Sequence, residues 1–322
     1  MADTTITVTD IISQFGAYYQ GNADRQKEVR QKLFYGFETA GAFTIEPTND
    51  TVIRKSEAEV TEVIQPYQDT FTAKGSVTFT PFELLLKQMK IDQEFNPNQL
   101  VTTWLGFLTN NTVDRSQWPF IRWFIEMYLI PRSNQDMEKS VIYGGVYAAP
   151  TPGTAGASSA AMNGIKKVIN DAITATDITP IVTGAFAVDP SDFVTQIENF
   201  CKEVPENYWS EGMQLNMSRT LARRFAEGNR AKYKMNYDMN NVGLNMVIDT
   251  NITVKGLFSH NGSSKIWMTP KENAILGVKG AANQNTFQIE HEKRKVAIYT
   301  DWFNGLGFVI PGIVFTNDQD LS

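Results

Sequence analysis

The first 95 residues carry more apolar surface than they can hide. Ile11, Ile12 and Phe15, followed by Tyr18 and Tyr19, form a short helical stripe behind the caps Thr9 and Asp10. A second amphipathic stretch, Asp24–Phe37, places Val29, Leu33 and Phe34 on one face. Neither is long enough to close a core, so each must pack on something else. Strand-like runs follow over Glu59–Gln65 and Lys74–Asp92. Val77 and Phe79 alternate there with Thr78 and Thr80, and Leu85, Met89 and Ile91 extend the apolar face. Pro66-Tyr67-Gln68-Asp69 and Gly75 supply turn material. The pattern predicts a long two-stranded excursion, and an isolated hairpin is marginal in water. It needs either a partner surface or a larger local sheet.

Composition narrows the function. The chain has 322 residues, 42% of them apolar and 20% charged, so a packed core is expected. Its 29 Lys+Arg against 35 Asp+Glu give a net charge of −6, not the footprint of a dedicated DNA-binding domain. One cysteine, Cys201, excludes an internal disulfide and a multi-cysteine zinc site. Two histidines, His260 and His291, leave little for metal or acid–base chemistry. Met1–Asp10 has no signal-peptide character, and the longest apolar run, Ile121–Ile130, is interrupted by Arg122 and Glu126. No membrane association and no cofactor are expected.

The strongest helical pattern opens at Ser116-Gln117-Trp118-Pro119, with Pro119 in the first turn. Phe120, Phe124, Met127 and Tyr128 repeat at helical spacing. Pro131 is expected to end or kink the helix. Ser133 and Asp136 suggest a capping box for a continuation that Gly144-Gly145 stops, about 26 residues or roughly 39 Å in all. Ala148–Ala161 holds only small residues and proline and is the best domain boundary. Helices are expected over Ile165–Ala175, Ser191–Cys201 and Ser218–Glu227. Strands are expected over Met213–Met217, Val247–Lys255, Lys265–Met268, Gln284–Ile289, Val296–Phe303 and Phe308–Phe315. Asn304-Gly305 and Pro311-Gly312 read as breaks.

Neither a dinucleotide- nor a nucleotide-binding glycine motif is found, and no zinc-protease or serine-elbow motif. His291, flanked by Glu290 and Glu292, reads as a solvated histidine, and Cys201 as a buried structural thiol. A basic cluster comprises Arg219, Arg223, Arg224, Arg230, Lys232 and Lys234, with Tyr233 and Tyr237 at its end. It is either a charged interface paired with acids of a neighbouring subunit or domain, or a DNA contact.

The order of these pieces resembles the major capsid proteins of tailed bacteriophages. The resemblance rests on "TFTPFELLLKQMKID" (Thr78–Asp92), "DMEKSVIYGG" (Asp136–Gly145), "APTPGTAGASSAA" (Ala149–Ala161) and "MQLNMSRTLARRF" (Met213–Phe225). "WMTPKENAILG" (Trp267–Gly277) and "GFVIPGIVFTND" (Gly307–Asp318) are similar to late capsid segments of phages of Bacteroidetes hosts. It implies an α+β, HK97-like capsid fold. Residues 1–50 would be the N-terminal arm and 51–95 the extended hairpin, or E-loop. Residues 96–165 and 285–322 would form a peripheral domain with a long spine helix, and 166–284 an α/β axial domain.

The resemblance further implies a non-enzymatic shell subunit that assembles with itself as pentamers and hexamers around double-stranded DNA held by weak contacts. Its place would be the virion, after assembly in the bacterial host cytoplasm. A portal is an implied partner, with separate scaffolding or decoration proteins. Subunit contacts are expected through Val60, Ile64, Tyr67, Phe71, Lys74, Val77 and Phe79 of the E-loop, and through Ile11, Ile12, Phe15 and Tyr19 of the arm. Some members join subunits by an isopeptide bond between an E-loop lysine and a peripheral asparagine. Lys74 and Asn317 match no such motif, so non-covalent assembly is expected. The rival readings are an encapsulin-type nanocompartment shell, an acid–base hydrolase with a paired-carboxylate cleft, and a DNA-binding module centred on Arg219–Lys234.

Overall fold

The computed structural model describes residues 8–19, 23–111, 118–233, 245–279 and 287–321. Helices α1 (Val8–Tyr19) and α2 (Ala23–Tyr35) open the chain. They fold back on the body instead of standing away from it. Ile11 is 0% and Phe15 3% exposed, in one cluster with Val29, Leu33, Phe34 and the helix that starts at Phe120. Phe34 stacks on Trp302 at 5.9 Å. This corrects the expectation that the arm needs a neighbour. Ile11 and Phe15 are covered by the chain's own long helix, Ile12 is half-buried, and the Tyr19 side chain lies outside the described residues.

Strand β1 (Thr44–Pro47) leads into a ribbon of β2 (Val52–Val60) and β3 (Val77–Leu85). The two pair antiparallel from Val52↔Leu85 to Val60↔Val77. The outgoing strand stops at Val60, short of the expected Gln65, and 61–76 is irregular. The returning segment is two strands. At Leu86, which is buried and donates its N–H to Thr51 O, the chain leaves the ribbon and becomes β4 (Lys87–Phe95).

After α3 (Val101–Asn111), the long helix runs without a break through α4 (Phe120–Phe124), a π-turn (Ile125–Leu129), α5 (Ile130–Asp136) and a second π-turn (Met137–Val141). It spans roughly 33 Å at 1.5 Å per residue. Pro131 neither ends it nor starts a new one. The Ile130 N–H bonds back to Ile125 O, and this wider turn shifts the register just before the proline, where its missing N–H and its ring would otherwise do most harm. Ser133 and Asp136 are therefore mid-helix residues, not a capping box.

The larger sheet has the order β1-β8-β10-β4, with β8 (Ala274–Lys279), β10 (Lys295–Phe308) and β9 (Gln288–Glu292) pairing the start of β10. Asn304-Gly305 does not break β10, which continues for 14 residues. Asn304 is fully buried and donates to Phe34 O at 3.2 Å. Gly305 and its register partner Gly277 make room for the ribbon root. A Cβ on Gly277 would lie 2.7 Å from both Ile53 and Leu86, and one on Gly305 2.9 Å from Leu86. Ile53, Leu84, Leu86 and Ile275 fill that seat.

A smaller sheet, β11-β7-β5-β6, comprises β5 (Gln214–Ser218), β6 (Thr253–Leu257), β7 (Trp267–Met268) and β11 (Phe315–Thr316). Helices α7 (Pro190–Lys202) and α8 (Arg219–Tyr233) bury Phe193, Ile197, Phe200 and Phe225 with its strands. Asp189 caps α7 through the Ser191 and Asp192 N–H groups, and Ser218 Oγ accepts from Leu221 N. The small-residue segment lies between the long helix and α6 (Ile165–Thr174), whose Ile165 and Ile169 enter the larger core.

Candidate assembly surface

Beyond its seat the ribbon is bare. Val60, Val77 and Phe79 on its strands are exposed, and Ile64, Tyr67 and Phe71 at its tip are 83%, 91% and 94% exposed. Nine residues at roughly 3.3 Å each carry that tip about 30 Å from its root. The irregular tip is held by polar contacts. Thr61 N donates to Ser76 O, Gln65 Nε2 to Thr72 O at 2.8 Å, and the Tyr67 hydroxyl to Asp69, which raises the phenol pKa. Gly75 turns the chain with φ 90°. Lys74 pairs with Glu62 at 3.0 Å and donates to Ile64 O. Asn317 is fully buried, its amide accepting from Ile266 N and donating to Ser264 O.

The basic residues of α8 meet partners within the chain. Arg219 pairs with Glu38 and lies over the Phe258 ring, Arg223 pairs with Glu227 at 2.9 Å, and Arg224 donates to Ala187 O. Lys232 pairs with Glu198 at 2.6 Å, and Arg230 is exposed. Lys234 and Tyr237 lie outside the described residues.

Sequence reasoning missed a buried polar chain that ties the arm to the long helix and the smaller sheet. Trp267 Nε1–H donates to His260 Nε2 at 2.9 Å, so that nitrogen carries the lone pair and Nδ1 carries the hydrogen. Nδ1–H then donates to Ser259 Oγ at 3.0 Å, Ser259 to Thr39 Oγ1 at 2.7 Å, and Thr39 to Glu138 Oε1 at 2.5 Å. The Thr39 and Ser259 N–H groups also donate to the Glu138 carboxylate. Burial pushes the His260 pKa down to about 3, which keeps the ring neutral. No local motif could have revealed the chain, because its members are scattered from 39 to 267.

Other chemistry-bearing residues sit in structural settings. Burial raises the Cys201 thiol to about 12, with Glu198 adding to the shift, and His291 is exposed on β9. A cleft of about 350 Å³ between the ribbon root and α6 is lined by Phe82, Leu84, Met162, Val168 and Leu306. Its described lining offers one carboxylate, Glu83, which is bonded to Arg54. Among the described residues no cluster of metal-ligating side chains occurs, and no helix is long and apolar enough to cross a membrane.

No family model matches the sequence, and no curated protein matches it. Solved structures do. The chain is similar to the subunit in the satellite phage P4 procapsid that includes the size determination (Sid) protein, with 12% identity, 97% of both chains covered and a TM-score of 0.61. It is also similar to the capsid of Myoviridae phage XM1, with 11% identity, 86% of this chain and 89% of that one covered, and a TM-score of 0.53. Arm, ribbon, long helix and two packed sheets thus make up the HK97-like fold found in phage capsid shells.

Proposed function

We propose that the chain is the major capsid subunit of a tailed phage, assembling with itself into an icosahedral shell around double-stranded DNA. The observation that carries this reading is the bare ribbon, set within a fold similar to the P4 procapsid subunit over 97% of both chains. A 30 Å projection with exposed aromatic residues is a poor device for a monomer and a good one for gripping a neighbour. The subunit works by assembling, not by turning over a substrate, and resides in the virion after assembly in the host cytoplasm. A portal completes the shell, with separate scaffolding or decoration proteins as further partners. The smaller core, from Phe193 to Met268, serves as the axial unit within the expected stretch 166–284, while α6 and β8 of that stretch join the larger core, which serves as the peripheral one.

Assembly is non-covalent in this reading. The support is that Asn317 is buried with its amide engaged, while Lys74 is held by Glu62 and Ile64 O. DNA contacts are weak, because most of the α8 cations already have partners in their own chain.

Electron microscopy of the expressed full chain tests the proposal. Uniform hollow shells are expected, and a stable monomer at all concentrations overturns it. Replacing 61–75 by a short turn should preserve the subunit's melting transition and abolish shells. Denaturing electrophoresis of particles should give a single monomer band; a ladder would contradict non-covalent assembly.

A further inference from the structure

The ribbon has two faces, and the strand register assigns every residue to one of them. One face carries Ile53, Phe82 and Leu84 near the root, and farther out positions 57, 59, 78 and 80. Its root is covered by the chain's own sheet: Ile53 and Leu84 are buried against Ile275 and Leu86. Its outer part turns polar, with exposed Thr78 and Thr80.

The other face is apolar in its outer half. At the root it pairs Val52 with the exposed Leu85, and next to them it carries the exposed Arg54–Glu83 ion pair. Outward it becomes apolar through the cross-strand pairs Ser56↔Pro81, Ala58↔Phe79 and Val60↔Val77, all exposed. Beyond the Arg54–Glu83 pair the apolar residues of the ribbon strands therefore lie on this second face. The chain covers the apolar root of the first face itself and leaves the outer apolar pairs of the second face bare.

We infer that the neighbouring subunit binds the ribbon on the Ala58–Val60–Val77–Phe79 face and leaves the Thr78–Thr80 face in solvent. This rests on the shell-forming reading and adds which side of the ribbon carries the contact. The occupant is a second copy of this chain. The stripe lies beyond the reach of the root's own cover, and a surface with a bare apolar patch at one end and a body at the other favours a head-to-tail contact. Pro81 supports a contact through side chains: it brings no N–H with which an added strand could pair.

Phe79 and Thr80 are adjacent in sequence and point to opposite faces, so one charge moved by one residue tests the assignment. Phe79→Lys and Thr80→Lys are compared in the full chain by electron microscopy and sedimentation, with thermal melting as a folding control. Both positions are exposed, so both variants should melt with the wild type. Phe79→Lys is expected to lower particle yield at least tenfold, and Thr80→Lys to leave it within twofold. Assembly of Phe79→Lys, or equal loss in both variants, overturns the sided contact while wild-type particles leave the shell reading intact. Wild-type protein that stays monomeric at every concentration overturns both.

Discussion

The arm and the ribbon both carry apolar faces within the same 95 residues, yet their fates differ. Ile11 and Phe15 vanish beneath the chain's own long helix, whereas Phe71 and Phe79 face solvent. Periodicity reports that a face must be covered; it does not report by what. What separates the two is reach. The arm helices are compact and joined by a few residues, so they can fold back. The ribbon is stiffened by cross-strand pairing and pointed away from the body by its seat on β8 and β10.

The sharpest way to break this comparison is to truncate one phenylalanine from each region. Phe15→Ala should destabilise the isolated subunit by about 3–5 kcal/mol, the usual range for a buried phenylalanine. Phe71→Ala should change it by less than about 0.5 kcal/mol. Chemical denaturation of unassembled subunits measures both, and similar values would erase the distinction.

Acid probes how the arm is anchored. The folded-state pKa of His260 is depressed to about 3 from its ordinary 6.5. Its contribution to stability is therefore fully present above about pH 6.5 and lost as pH falls toward 3, because the unfolded chain takes up a proton that the folded one refuses. The slope is at most about 1.4 kcal/mol per pH unit. His260→Gln should remove that part of the pH dependence, read as the difference between the two denaturation curves at each pH. Parallel curves would show that the ring is not the acid-sensitive element.

Adding a methyl group beneath the ribbon tests the seat. Gly305→Ala places a carbon 2.9 Å from Leu86 and should cost about 1–3 kcal/mol by overpacking. The smallest effect is expected at the exposed Arg219–Glu38 pair. Arg219→Met should cost less than about 1 kcal/mol, and less again in high salt. A larger loss would mean that α8 helps to hold the end of the arm.

Much of this fold was legible where local chemistry fixes it. Ser218 announces a helix start, and the Val77–Thr80 alternation announces the ribbon. Errors arose where one residue type serves two purposes. Asn304-Gly305 has the composition of a turn, but its glycine admits Leu86 and its asparagine bonds Phe34 O. Pro131 reads as a breaker until a π-turn precedes it. The Trp267–Glu138 chain was invisible because tertiary folding alone assembles it, and the arm's cover was hidden for the same reason.

The seat beneath the ribbon has one more consequence. Where Gly277 and Gly305 face each other, the launch angle of a 30 Å lever is set by two absent methyl groups. A displacement of a few tenths of an ångström at that fulcrum is magnified along the lever to its far end. In the proposed shell, the geometry with which one copy meets the next can thus be retuned from a place buried inside the subunit.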